Sequence, residues 1–318
     1  MRRTAPSRWL IAAFLVVAPS AAKALTCSYS VSNVSFGSVD VLAGSAVDTT
    51  ATIGINCSGL LLERVRLCPN LGAGSGGATA SARQMASGAH QLNFQLYQDS
   101  ARTTVWGSYL WSFSARPPTL TLDLNVLGNG SLTPTIYARV LSGQSTAATG
   151  SYLSSFSGTD AQLRYETCPL GVCPACSASL AGSTNASFTA NATVLNNCLV
   201  SAQNINFGAT GVLSTNVDAT GQLTVTCTPT TSYTVALNGG TTGSPPASRK
   251  MSKGSETVTY GLYKDAVRTQ VWGDTTGNNV PGTGTGLAQN LIVYGRAPPQ
   301  ATPSPGVYSD TVVVTVTY

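Results

Sequence analysis

The feature that most constrains this chain is a block of sequence that occurs twice. Arg83-Gln84-Met85, Leu96-Tyr97-Gln98-Asp99 and Arg102-Thr103-Thr104-Val105-Trp106-Gly107 form the first copy. Arg249-Lys250-Met251, Leu262-Tyr263-Lys264-Asp265 and Arg268-Thr269-Gln270-Val271-Trp272-Gly273 form the second, every pair 166 positions apart. A repeat of this length means two copies of one domain rather than a solenoid. Flanking matches lengthen the copies. Cys27 precedes Phe36-Gly37 as Cys198 precedes Phe207-Gly208, Tyr137-Ala138-Arg139 answers Tyr294-Gly295-Arg296, and Gly150-Ser151-Tyr152 answers Gly306-Val307-Tyr308.

Within each copy the apolar residues alternate. Ile53, Ile55 and Cys57 share one face; Leu92, Phe94 and Leu96 share another, as do Leu120, Leu122, Leu124 and Val126. The second copy keeps this in Leu223, Val225 and Cys227, and in Val258, Tyr260 and Leu262. A period of two, broken by Gly, Asn, Ser and Pro, predicts half-buried strands and no long helix. Many short strands with turn signals between them predict an all-β chain of two tandem sandwiches. The expected division is 1–24 leader, 25–176 first domain and 177–318 second domain, with Cys168–Gly182 as the junction.

Residues 1–24 have the form of a secretory signal: basic Arg2, Arg3 and Arg8, an apolar run from Trp9 to Ala18, and Ala22-Lys23-Ala24 as a cleavage site. Removing the leader's four bases from 17 leaves 13 against 12 acids, a balance that gives no reason to expect nucleic acid as a partner. Export gives the eight cysteines a meaning, since an even count in an oxidising compartment implies bridges. Matched positions in the repeat support Cys27–Cys57 and Cys198–Cys227. Cys68, Cys168, Cys173 and Cys176 allow three pairings, and they are expected to staple the junction. Zinc at Cys173-Pro-Ala-Cys176 would need further ligands, and the chain's one histidine, His90, is distant.

No constellation for catalysis or for a cofactor stands out. His90 has Glu256 as its counterpart and is expected at the surface. Asp99 with Arg102, and Asp265 with Arg268, are expected as turn-stabilising ion pairs rather than paired catalytic carboxylates. The chain is therefore not expected to be an enzyme.

Three features together resemble the spore coat protein U domain, found in subunits of archaic chaperone–usher pili. They are the Phe-Gly after the first cysteine, the Leu-Tyr-x-Asp and Arg-Thr-x-Val-Trp-Gly block, and the closing Tyr308-Ser309-Asp310-Thr311-Val312-Val313-Val314-Thr315-Val316-Thr317-Tyr318. The second copy matches over nearly its whole length; the first keeps the central block but lacks the closing Val/Thr alternation. The resemblance implies two immunoglobulin-like sandwiches, each incomplete by one strand. It further implies that a periplasmic pilus chaperone, and then an adjacent pilin subunit, completes the fold by β-strand addition during assembly through an outer-membrane usher. Val312, Val314, Val316 and Tyr318 are the residues expected at that pairing.

Leu25-Thr26 is too short to reach a neighbour as a donated arm, at about 3.3 Å per residue. The chain is thus expected to accept a strand without giving one, which places it at the pilus tip on the cell surface. An arm-like segment does occur internally, with Phe188, Ala190, Ala192 and Val194 on one face just before Cys198. Two readings stand for it: a strand that completes the first domain within the same molecule, or simply the first strand of the second.

A tip subunit is expected to contact a surface, hydrophobic or host-derived. Where the second copy continues with polar Asp274–Asn279, the first has Tyr109, Leu110, Trp111 and Phe113. Leu60, Leu61 and Leu62, and the glycine-flanked Leu153 and Phe156, are the other apolar stretches particular to it. These residues are either an exposed adhesive patch or the core of an enlarged sandwich. The alternative function is a structural coat or minor pilus component that binds no target.

Overall fold

The computed structural model describes residues 24–318, so the leader lies outside the described residues except for its last position. The first half supplies β1 (Thr26–Val31), β2 (Val34–Val39), β3 (Val47–Ser58), β4 (Arg64–Leu71), β5 (Arg83–Ser87), β6 (His90–Tyr97) and β7 (Leu120–Asp123). It continues with β8 (Asn129–Leu132), β9 (Thr135–Val140), β10 (Gly150–Phe156), β11 (Ala161–Thr167), β12 (Gly182–Asn185) and β13 (Phe188–Val194). The second half supplies β14 (Cys198–Ala202), β15 (Val217–Cys227), β16 (Ser232–Leu237) and β17 (Arg249–Lys253). It closes with β18 (Glu256–Tyr263), β19 (Val280–Thr283), β20 (Gln289–Ala297) and β21 (Val314–Thr317).

Each half stacks two sheets around an apolar core. In the first, the large sheet runs β1-β3-β9-β6-β5-β10-β13-β2, with β8 also on β3, and the small one runs β12-β11-β4-β7. In the second, the sheets run β14-β15-β20-β18-β17 and β19-β16-β21. The common part of the large sheets is the order β1-β3-β9-β6-β5, which β14-β15-β20-β18-β17 repeats. Alternation decides the faces: β3 buries Ala51, Ile53, Ile55 and Cys57, and β15 buries Leu223, Val225 and Cys227.

The shared motif is a buried scaffold. Arg83 and Arg249 are fully enclosed yet satisfied: Arg83 donates to the carbonyls of Leu71, Gly72 and Trp106 and to the Gln95 amide oxygen. Arg249 donates to the carbonyls of Leu237, Asn238, Pro246 and Trp272. The Trp106 and Trp272 indoles donate in turn to Pro69 and Val235 across the sandwich. A planar five-donor fork can tie several carbonyls at one point, which a lysine cannot do.

The expected Asp99–Arg102 and Asp265–Arg268 ion pairs are not formed. Both arginines lie at positive φ (57° and 61°), which turns them away to Asp48 and Asp218, at 3.3 and 3.2 Å. Asp99 and Asp265 instead cap their own turns, accepting from the amides of Thr103 and Thr104 and of Thr269 and Gln270. His90 is exposed at the start of β6.

Strand pairing does not change where the division at 176/177 was expected. β12 pairs with β11, and β13 pairs with both β10 and β2, all in the first sandwich; second-half pairing begins at Cys198. The Cys168–Gly182 stretch is no junction but folds back on the first sandwich, where Arg66 donates to the Ala175 carbonyl. Residues 195–197 make the connection, and Asn197 bonds to Asp40 on one side and Thr228 on the other.

Four disulfides fix this frame. Cys27–Cys57 and Cys198–Cys227 join directly paired residues on neighbouring strands. The remaining cysteines pair as Cys68–Cys176 and Cys168–Cys173, both within the first half.

Candidate functional site

The internal arm-like segment is a strand of the first sandwich. As β13 it lies between β10, which it meets antiparallel, and β2, which it meets in parallel. Opposite pairs are Phe188 with Phe156, Ala190 with Ser154, Ala192 with Tyr152 and Val194 with Gly150. All four inward side chains of β13 are buried in the first core. Phe156, expected among the surface residues, is in fact 1% exposed. Period-two alternation from Tyr152 turns it inward, where it stacks on Phe188 and meets Phe94 edge-on.

The second half has corresponding flanking segments without such a strand between them. Ile205 and Phe207 correspond to Val34 and Phe36, and 306–312 corresponds to 150–156, yet neither stretch forms strand. The equivalence extends to detail: the Tyr152 hydroxyl donates to Ala148 and the Tyr308 hydroxyl to Ser304, each four residues back. Between these stretches lies a groove of about 1240 Å³, lined by Ile205, Phe207, Leu223, Tyr260, Tyr308 and Val312 among others. Among the described residues, no segment of the chain occupies it. Without a partner for its main-chain groups, sequence that is strand in one copy stays irregular in the other.

The expected pairing residues divide accordingly. Val312 and Val314 line the groove. Val316 pairs with Val235 on β16 and packs on the second core. Tyr318 is exposed, its hydroxyl within 3.5 Å of Asn197, so it lies at the connection between halves. On the groove's floor Asp310 accepts from the Tyr260 hydroxyl and from the Thr241 amide and hydroxyl. Burial acts to raise its pKa, but these hydrogen bonds outweigh that and hold it below its ordinary value.

The apolar surface lies elsewhere, at one end of the small sheet in the first sandwich. Antiparallel pairing of β4 with β7 and β11 sets Arg64 beside Asp123 and Val65 beside Thr167. The loop entering β4 and the loops leaving β7 and β11 therefore emerge together. The first carries Leu60, Leu61 and Leu62, the second Val126 and Leu127, and the third Val172; all are 53 to 74% exposed. Main-chain bonds from Gly59 to Gly128 and from Leu62 to Asn125 lock the first two loops. Cys168–Cys173 closes the third, and Arg64 reaches both Asp123 and the Gly171 carbonyl. Leu62 holds φ 56°, a left-handed conformation that costs a leucine about 1 kcal/mol and that glycine would relieve.

Tyr109, Leu110, Trp111 and Phe113 are not part of that end and are only half-exposed. Trp111 covers the Arg83 guanidinium at 4.7 Å, meets Phe113 edge-on and donates to the Ala115 carbonyl. Tyr109 packs against the Cys68–Cys176 cluster under Arg116. This aromatic group is a cover over a buried charge. Leu153 is 48% exposed but stands alone on the outer face of β10.

Sequence reasoning missed Val126, Leu127 and Val172. Val126 continues the apolar alternation of a strand that ends three residues earlier, Leu127 follows it in the same loop, and Val172 stands singly in another. Only strand pairing gathers the three loops.

The described residues thus form two tandem β-sandwiches, one filled from within and one with an open groove along its edge. The Spore Coat Protein U domain model matches residues 11–159 and 184–315, and the chain belongs to that family. The second match begins before β13, so this strand belongs to the second copy in sequence and to the first sandwich in space. Protein U of Myxococcus xanthus is 32% identical over 127 residues, covering 36% of this chain and 71% of that protein. Among solved structures, the CsuC–CsuE chaperone–tip adhesion subunit pre-assembly complex from archaic chaperone–usher Csu pili of Acinetobacter baumannii aligns at 18% identity and TM-score 0.52. The alignment covers 92% of this chain and 100% of that one, and the likeness is one of fold.

Proposed function

We propose that this chain is a pilus tip subunit, exported through the periplasm and held at the cell surface by its second sandwich. The observation that carries the reading is the contrast between the two copies. The first is closed by β13; the second presents corresponding flanks with an open groove. A periplasmic chaperone fills that groove first, and a strand from the adjacent pilin replaces it during assembly at an outer-membrane usher. Main-chain hydrogen bonds supply the affinity. The chain's own arm-like strand is spent on its first sandwich, which fits a subunit that ends the fibre.

The first sandwich then makes contact with the target through Leu60, Leu61, Leu62, Val126, Leu127 and Val172. Six exposed large apolar side chains at one end bring no gain in solubility, and Leu62 is held there at a cost in backbone strain. The target is an apolar surface.

The test is a Leu60→Ser/Leu61→Ser/Val126→Ser/Leu127→Ser variant assembled into fibres. Attachment to hydrophobic plastic should fall at least tenfold while thermal stability and assembly hold. Unchanged attachment would favour a structural component that binds no target. A purified chain that recruits no chaperone or pilin strand would remove the pilus reading altogether.

A further inference from the structure

The filled sandwich is a template for what the open one accepts, and we infer that the second groove selects its strand by a size code. The code is large, small, small, branched at alternate positions. The inference rests on the strand-accepting reading above.

Register supplies the code. In the first sandwich, directly opposed residues on β10 and β13 share a face, so each inward position of β13 is sized by its partner. Branched Val194 stands opposite Gly150, which presents no side chain of its own. Buried Tyr152, 1% exposed, lies opposite Ala192, and fully buried Ser154, whose hydroxyl accepts from the Gly76 amide, lies opposite Ala190. At the far end Phe188 finds a stacking partner in Phe156. The second copy retains Gly306 and Tyr308 at the first two places. At the third, Asp310 stands for Ser154, and its carboxylate is fixed by Thr241 and Tyr260, so it cannot retreat from a bulky side chain. At the fourth, Val312 stands for Phe156 and leaves more room for a large residue.

The incoming strand therefore runs antiparallel to 306–312. It places a branched aliphatic residue against Gly306, small residues against Tyr308 and Asp310, and an aromatic or other large residue against Val312. β13 itself obeys this code, so the decapeptide of residues 186–195 is a ready probe.

The experiment adds this peptide, or the same peptide with Ala190→Phe or Ala192→Phe, to the full chain. Amide exchange is followed at 205–210 and 306–312. The unsubstituted peptide should protect both stretches, and each bulky variant should bind at least about tenfold more weakly. If unsubstituted and bulky peptides bind alike, the size code is overturned while the groove stands. Loss of protection in β13 (188–194) while 306–312 still exchanges freely would mean that the peptide merely displaces β13, which also overturns it. If no peptide protects, the groove reading itself fails. Fusing each peptide through a flexible linker after Tyr318 and comparing thermal unfolding gives the same decision when the free chain does not stay in solution.

Discussion

Phe188 stacks on Phe156 with ring centroids 4.4 Å apart and planes inclined by only 9°. One ring belongs to the strand that completes the first sandwich and the other to the edge it completes. Phe188→Ala should therefore cost about 3–5 kcal/mol, the usual range for truncating a buried phenylalanine. Denaturant unfolding of the full chain will show it. Amides of β10 and β2 should exchange faster while those of β15 and β20 keep their protection. Removal of 184–194 should leave a first sandwich that aggregates; a stable monomer would contradict completion by β13.

The two disulfides private to the first half should differ in worth. Cys68–Cys176 closes 108 residues and Cys168–Cys173 only five. Loop-closure entropy predicts a loss of about 5 kcal/mol for the first pair changed to serine and about 2 kcal/mol for the second. The shorter bridge shapes the loop that carries Val172, so its double serine variant should keep the fold and lose part of the attachment. Paired stability and adhesion measurements separate these effects.

Arg83→Met removes the donors that hold the carbonyls of Leu71, Gly72 and Trp106, all in a buried place. The expected destabilisation is about 3 kcal/mol or more. Arg249→Met should do the same to the second sandwich alone. Lysine should rescue neither, because a single ammonium cannot reproduce the fork.

Acid should loosen both halves by one mechanism. A hydrogen bond from Arg139, helped by the Arg102 charge, holds Asp48 below its ordinary 3.8; Arg296 and Arg268 do the same for Asp218. A carboxyl lowered on folding stabilises above its unfolded value and loses that contribution as pH falls through the folded one. Denaturation midpoints should thus be flat near neutrality and drop below about pH 4, modestly, since both carboxylates are part-exposed. Asp48→Asn and Asp218→Asn should be less stable at neutral pH and less sensitive to acid.

Much of the fold is legible in particular residues. The 166-residue repeat gives two units, period-two alternation gives their strands, and the matched cysteines give the two bridges between paired strands. The candidate site is less legible. Leu60–Leu62 can be found because the second copy has polar Thr230-Thr231-Ser232 in that place, but Val126, Leu127 and Val172 look like ordinary apolar residues until three loops meet. Phe156 and Trp111 mislead for the opposite reason: apolar side chains particular to one copy can as well be core or cover as contact surface.

The sequence by itself determined the repeating unit and which face of each strand turns inward, because those depend on local spacing and on the two-residue period of extended chain. Tertiary structure alone decided to which sandwich β13 belongs. Its alternation suits either neighbour, and the choice is made by the free edges of β10 and β2, whose buried main-chain groups need a partner that their own hairpins do not supply.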